Sequence, residues 1–76
     1  MAEKLTLKYD RAADTLYISQ RNPYAAQESE ELGDDVIARL NPVSGAIENL
    51  EILFFSTRLL RSDLLELPVT FEMQPA

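Results

Sequence analysis

Cysteine and histidine are both absent from this sequence. Without cysteine the chain forms no disulfide and holds no thiolate metal site, and without histidine it lacks the commonest metal ligand. The two absences also exclude Ser-His and Cys-His catalytic pairs. We therefore expect no cofactor and no metal, and we expect that the protein is not an enzyme.

Long apolar runs are lacking as well. The longest one, from Leu50 to Phe55, is interrupted by Glu51 and is far shorter than the about 20 residues that cross a bilayer. The segment from Met1 to Lys8 contains no apolar stretch typical of a signal peptide. These features predict no membrane association and a cytoplasmic location, with which the absence of cysteine is compatible.

Basic residues are few. The chain has 7 Lys and Arg against 13 Asp and Glu, which gives a net charge of −6. Binding to nucleic acid depends on Lys and Arg side chains that displace counterions from phosphates. A surface with this excess of negative charge repels phosphate, so we expect no nucleic-acid partner.

The length of the chain limits its core. Its 76 residues, of which 46% are hydrophobic, predict a single domain over residues 1–76. A chain this short buries only roughly 60% of the surface of its unfolded state. Because disulfides and the usual metal sites are excluded, association is the remaining means of stabilisation. We expect a homo-oligomer, namely a dimer.

A β-hairpin is the clearest local feature. Leu5, Leu7 and Tyr9 alternate with polar residues before a turn, and Leu16 and Ile18 alternate with other residues after it. This is the period of half-buried strands. Both strands are therefore expected to show one apolar face to the same core.

The middle of the chain is polar and acidic. Residues 25–32 have the composition of a helix, but they offer no apolar stripe for a helix to bury. We prefer a solvated edge strand, because its acidic side chains would block pairing with other sheets. After a turn at Gly33-Asp34-Asp35, a fourth strand is predicted in which Val36, Ala38 and Leu40 share one face.

The most apolar predicted strand, residues 46–55, changes phase part-way. In a regular strand Ile47 would point to one face, whereas Leu50 and Ile52 would point to the other, because successive side chains alternate between the two faces. One extra residue near Glu48-Asn49, a β-bulge, would restore a common face. The end of this strand is apolar on both faces, which indicates a central strand or one covered on both sides.

A helix and a short last strand are predicted for the C-terminal part. Ser56 or Thr57 is expected to cap the helix, which carries a leucine stripe and either kinks at Ser62 or divides there into two short pieces. Pro68 ends it. The stripe comprises Leu60, Leu64 and Leu67, and the last strand comprises Val69, Phe71 and Met73 with their neighbours.

These elements predict an α+β fold: an antiparallel sheet of four to five strands, a C-terminal helix packed on one face, and a short last strand. That last strand pairs either in its own sheet or with a partner molecule. The predicted core comprises Leu5, Leu7, Leu16, Ile18, Val36, Leu40, Ile47, Leu50 and Ile52, closed by Leu60 and Leu64.

Four residues make up the candidate polar site: Asp10, Asp14, Tyr17 and Glu51. The two aspartates fit either a carboxylate pair for metal or acid-base chemistry or two turn-capping groups, and the turn chemistry favours the second interpretation. Glu51 fits either a general base or a cross-strand charge partner of Arg39 or Lys8, and we favour the charge pair.

Three segments of the chain form a recognisable pattern: Tyr9-Asp10 with Ala13-Asp14-x-Leu16-Tyr17-Ile18, then Glu28-Ser29-Glu30, and Leu50-Glu51-Ile52-Leu53 leading into Ser56. In these segments the chain resembles a family of small bacterial proteins known as domain of unknown function 2283. The chain has Asn49 and Phe54 where members usually carry Gly and Asp, and Asn41-Pro42 where they carry an acidic turn. The resemblance covers most of Lys4 to Leu60, and it implies a small α+β fold with an antiparallel sheet and no established activity.

Two functional hypotheses follow. The first is a non-enzymatic, self-associating module that binds another protein, one form of which neutralises a small basic partner. Its candidate interface consists of apolar side chains left over once a helix covers one sheet face: Leu53, Phe54, Phe55, Val69, Phe71 and Met73. The second is a carboxylate-based, metal-assisted enzyme that uses the candidate polar site at a subunit interface. We favour the first, because so short a chain can scarcely form a pocket within one subunit.

Overall fold

Five strands and one helix make up the fold in the computed structural model, which describes residues 4–76. The elements are β1 (Thr6–Asp10), β2 (Thr15–Ser19), β3 (Glu28–Gly33), β4 (Val36–Leu40), β5 (Ile47–Leu53) and α1 (Phe55–Arg61). The strands form one antiparallel sheet in the order β1-β2-β5-β4-β3. The predicted α+β class is confirmed, with five strands. Met1 to Glu3, the start of the segment predicted to lack a signal peptide, lie outside the described residues.

Strand β5 occupies the centre of the sheet. Leu50 lies opposite Ile18 of β2 on one side and opposite Ala38 of β4 on the other. Ile52, two residues further on, is fully buried. The apolar character of this segment therefore reflects a strand with neighbours on both sides, as the sequence predicted.

The predicted β-bulge is present in β5. Leu40 pairs with Ile47, but Arg39 pairs with Asn49, so Glu48 is the extra residue between them. The insertion returns Ile47 to the apolar face of the sheet, where it packs against the core. It also leaves Glu48 and Asn49 buried next to each other near the start of the central strand.

The β3–β4 hairpin has a two-residue turn. Asp34 and Asp35 both adopt left-handed conformations, with φ of 45° and 61°. Two such residues in a two-residue loop define a type I′ turn, whose twist matches that of the flanking strands. Strand β3 lies at the edge of the sheet, and its acidic side chains are exposed. The edge-strand interpretation is thus confirmed from Glu28 onward.

The core is small and lies on one face of the sheet. Among the described residues, its buried hydrophobic side chains are Val36, Ala38, Leu50 and Ile52. Six partly buried residues pack against the cluster formed by the first three of these: Ile18, Leu32, Leu40, Ile47, Leu67 and Val69.

Several predictions about the core edges and the C-terminal part were wrong. Leu60 and Leu64 do not close the core, because their side chains are 88% and 68% exposed. Leu5 and Leu7 are also largely exposed, since β1 is an edge strand with little covering its apolar face. The helix ends at Arg61, where Ser62 adopts an extended conformation.

The predicted short last strand is likewise absent from the described residues. Residues 69–73 pair with no strand. Instead, Leu67 and Val69 pack against the core. We call residues 67–76 the tail.

Shortening Ile52 to Ala should lower the free energy of unfolding by about 2 to 5 kcal/mol, because the change opens a cavity in a fully buried position. Leu60→Ala is the matched control, and it should change stability by no more than about 0.5 kcal/mol, because Leu60 is exposed. Urea unfolding measures both values. Equal losses of unfolding free energy in the two variants would contradict the assignment of Ile52 to the core.

Replacing Asp34-Asp35 with Asn-Gly should stabilise the protein by about 1 kcal/mol, because this pair suits two left-handed positions better.

Gly45→Ala tests the opposite change, in which a glycine at a left-handed position is replaced by a residue that disfavours it. Gly45 has φ of 75° and open space where a Cβ would stand, so its replacement should destabilise through backbone strain alone. Thermal unfolding checks both, and a lower midpoint for the Asn-Gly variant would contradict the turn assignment.

Candidate functional site

One polar cluster lies where the β1–β2 turn meets the start of α1. The Tyr9 hydroxyl donates a hydrogen bond of 2.6 Å to Oδ1 of Asp14. Ser56 donates to both carboxylate oxygens, from its backbone N–H to Oδ1 at 2.9 Å and from its hydroxyl to Oδ2 at 2.8 Å. The carbonyl oxygen of Asp14 accepts a further bond of 3.0 Å from the Phe55 N–H. We call Tyr9, Asp14 and Ser56 the Asp14 cluster.

The Asp14 cluster caps the helix from a distant part of the chain. The first N–H groups of a helix have no partner within the helix. Phe54 occupies the N-cap position of α1, and no side chain on α1 caps the helix locally. Asp14 satisfies the N–H groups of Phe55 and Ser56 instead. The prediction that Ser56 or Thr57 caps the helix was therefore wrong, because Ser56 is the donor and Asp14 is the acceptor.

A second polar cluster surrounds the bulge in β5. The Glu48 carboxylate accepts hydrogen bonds from the Tyr24 hydroxyl at 2.6 Å and from Nε2 of Gln27 at 3.1 Å. Its other oxygen lies 3.1 Å from Nη1 of Arg21 and 3.5 Å from Nδ2 of Asn41. We call these residues, with Asn49, the Glu48 cluster.

Asn49 completes the Glu48 cluster. Its side chain accepts a bond of 2.7 Å from Nε2 of Gln27 and donates one of 2.7 Å to the carbonyl oxygen of Arg21. Together, Glu48 and Asn49 hold the connection between β2 and β3, residues 20–27, against the start of the central strand. Every buried side-chain polar atom in the described residues has a partner, so burial of this carboxylate is compensated.

Hydrogen bonds shift the ionisation of both carboxylates in the same direction. The Tyr9 hydroxyl, followed by the Ser56 N–H, lowers the pKa of Asp14. The Tyr24 hydroxyl lowers the pKa of Glu48, and Gln27 and Asn41 add to the effect. The bonds to the carboxylates raise the pKa of each tyrosine in return. Both carboxylates are therefore held as anions, because the bonds favour the charged form.

The four residues of the candidate polar site have different partners. Asp10 accepts bonds from the N–H groups of Ala12 and Ala13 at 3.0 and 3.3 Å, which confirms the turn-capping interpretation for Asp10. Tyr17 lies opposite Glu51 in the β2–β5 ladder. Glu51 forms an ion pair of 3.4 Å with Arg39 on the neighbouring strand, which confirms the charge-pair interpretation. Asp14 belongs to the Asp14 cluster. In residues 4–76, no group of three or more carboxylates is placed to hold a metal ion.

Sequence reasoning missed the Glu48 cluster, although a signal was present. The change of phase in β5 located a bulge at Glu48 and Asn49, and bulges redirect side chains. A charged residue and an amide at such a position indicate a polar contact beyond the ladder. The partners, between Arg21 and Asn41, are separated from Glu48 by too many residues for local patterns to identify them.

An open groove runs between the apolar face of the sheet and the tail. Its volume is about 810 Å³, and its apolar lining includes Leu5, Leu7, Ile18, Val69, Phe71 and Met73. We call it the apolar groove. Of the candidate interface, only Val69, Phe71 and Met73 line it.

The rest of the candidate interface lies elsewhere. Leu53 points away from the core face, because it has the opposite parity to Leu50 and Ile52. Phe54 is 56% exposed, and Phe55 packs on the ring of Tyr9 with centroids 5.8 Å apart. The structure therefore divides the predicted interface between two places.

A five-stranded antiparallel sheet, closed by a short helix that its first hairpin caps, defines a small α+β protein. The chain belongs to the family described as Protein of unknown function (DUF2283), whose model matches residues 6–56. The match runs from the first residue of β1 to Ser56, so it includes all five strands and the Asp14 cluster but not the tail. No curated protein and no solved structure matches the chain. Within residues 4–76, no helix has the length and apolarity needed to cross a membrane.

Acid should destabilise the protein through Asp14 and Glu48. Each carboxyl has a lowered pKa in the folded state, so its stabilising effect is complete above the ordinary carboxyl range and is lost as the pH falls through the folded-state pKa. Glu48→Gln should lower stability at neutral pH and make stability less dependent on pH in the acid range. Tyr24→Phe removes the main donor to Glu48 and should act in the same direction. Urea unfolding at a series of pH values measures this, and an unchanged acid dependence in Glu48→Gln would contradict it.

Proposed function

We propose that the protein is a small, non-enzymatic binding module that associates with a second copy of itself through the apolar groove. The observation that carries the proposal is the cluster of exposed apolar side chains that line the apolar groove. Leu5 and Leu7 are 49% and 62% exposed, and Phe71 and Met73 are 67% and 76% exposed. All four line the same groove. Contiguous apolar surface of this kind is typical of interaction sites.

The small core supports a second copy as the occupant. Only four hydrophobic residues are buried in the described part of the chain, and short chains without disulfides or metals commonly gain stability by association. Another copy of the chain is always available to supply the missing burial. A two-fold contact would cover the same groove on both copies at once.

The surroundings of the carboxylates support a role without catalysis. Asp14 caps α1, Glu48 fastens residues 20–27, and Glu51 pairs with Arg39. A carboxylate whose pKa is lowered is a weaker base than an ordinary one, whereas catalytic bases usually have raised values. The net charge of −6 favours a basic protein as any further partner, and the cysteine-free composition fits the cytoplasmic location that we propose.

Light scattering at micromolar concentration tests the association. The wild-type protein should have about twice the mass of one 8.6 kDa chain. Phe71→Asp should shift the mass toward that of one chain, because it places a charge in the apolar groove. Val43→Asp is the matched control, since Val43 is 94% exposed in the β4–β5 loop, outside the groove. A wild-type mass of one chain, unchanged by Phe71→Asp, would refute the proposal.

A further inference from the structure

Strand β1 forms one edge of the sheet, and in the described part of the chain only β2 pairs with it. Neither the tail nor α1 forms a ladder along its outer side. An edge strand carries outward N–H and C=O groups that can pair with another strand. The outer side of β1 is therefore accessible to a further strand.

The two edges of the sheet differ in how they are protected. At the opposite edge, β3 exposes Glu28, Glu30 and Glu31 and contains an irregularity between Glu31 and Gly33. Both features hinder pairing with another strand. In β1, by contrast, the ladder is regular, and its charged residues are Lys8 and Asp10, one of each sign. Self-pairing is therefore hindered at β3 by repulsion between like charges, whereas the opposite charges of β1 can pair with those of a second copy.

We propose that two copies pair through β1, antiparallel to each other, about a two-fold axis that passes through Leu7. The proposal rests on the self-association proposed above and specifies how it occurs. Two sheets of five strands become one continuous sheet. Because the axis is perpendicular to the sheet, the apolar faces of both copies lie on the same side.

The charges of Lys4 and Asp10 favour this register over others. With Leu7 opposite the partner's Leu7, Lys4 lies opposite the partner's Asp10. This opposite-charge pair occurs twice, once on each side of the axis. Opposite charges across neighbouring strands stabilise their pairing. The turn bonds from Ala12 and Ala13 reach Oδ1 of Asp10 and are compatible with an ion pair through Oδ2.

The apolar residues agree with the same register. Leu5 lies opposite the partner's Tyr9, and Thr6 lies opposite the partner's Lys8. Leu5, Leu7 and Tyr9 are each between 41% and 62% exposed in the single chain. Pairing brings these side chains from both copies together on one face, where aromatic and aliphatic cross-strand pairs are favourable.

Other registers are less favourable for physical reasons. An axis through Thr6 places Lys4 opposite the partner's Lys8, and an axis through Lys8 places that residue opposite its own copy. Like charges directly opposite each other destabilise a ladder. A shift by one residue instead sets the apolar face of one copy against the polar face of the other.

The apolar groove adjoins this junction. Leu5 and Leu7 form part of its lining, together with Phe71 and Met73 of the tail. A ladder from Lys4 to Asp10 alone buries too little surface for a stable dimer. The two tails, on the same side of the joined sheet, supply the additional apolar contact.

Cysteine cross-linking tests the register directly, because the natural chain contains no cysteine. Leu7→Cys should form a disulfide-linked dimer rapidly under mild oxidation, since directly opposite residues lie about 4.5 to 5.5 Å apart. Thr6→Cys and Lys8→Cys should each cross-link poorly alone, because each would face its own copy across a diagonal of about 7 to 8 Å. A mixture of these two variants should cross-link efficiently, since the two positions are opposite. Leu60→Cys, at a position that is 88% exposed, controls for random collision.

The outcomes separate this inference from the proposed function. A wild-type dimer by light scattering, with Leu7→Cys no faster to cross-link than Leu60→Cys, would overturn β1 pairing and leave self-association standing. Efficient cross-linking of Thr6→Cys or Lys8→Cys alone would overturn the register. A wild-type mass of one chain would overturn both proposals. Circular dichroism of each reduced variant verifies that the sheet is retained.

Discussion

The position of β5 between β2 and β4 is the constraint on which the rest of the structure depends. The β1–β2 hairpin and the β3–β4 hairpin do not pair with each other and become one sheet because β5 pairs with β2 and with β4. Its residues Leu50 and Ile52 are two of the four buried hydrophobic residues in the described chain. The two polar clusters lie at its two ends, with Glu48 where the strand begins and Ser56 just beyond its last residue.

These clusters share a chemistry. In each, a tyrosine hydroxyl donates a bond of 2.6 Å to a carboxylate that accepts further donors. Each carboxylate also joins segments that are distant in sequence: Asp14 reaches the start of α1, and Glu48 reaches residues 20–27. An anion with several fixed donors is a strong link between elements. In a protein with so small a core, such links orient segments that apolar packing alone leaves weakly restrained.

Local sequence patterns were sufficient to predict the strands of the sheet, but they did not predict the polar contacts at the two ends of β5. Period-two alternation identified the first hairpin, and the change of phase in β5 located the bulge, because both signals are contained within a few consecutive residues. The capping role of Asp14 was not predictable, since its partner Ser56 is 42 positions away. The leucine stripe after Ser56 was misleading. Ser62 and Asp63 favour local bonds over helix, and Leu67 and Val69 of the tail pack against the core instead of Leu60 and Leu64.

The strand order also has a consequence for synthesis on the ribosome. The strand that completes the sheet, β5, is the last of the five to be made. Until it emerges, β2 and β4 each have an open edge, and their apolar residues Ile18 and Ala38 lack their final neighbour. Nascent chains in this condition are prone to pair with one another. A truncated product that ends before Ile47 lacks β5, so it retains both open edges and is prone to aggregation.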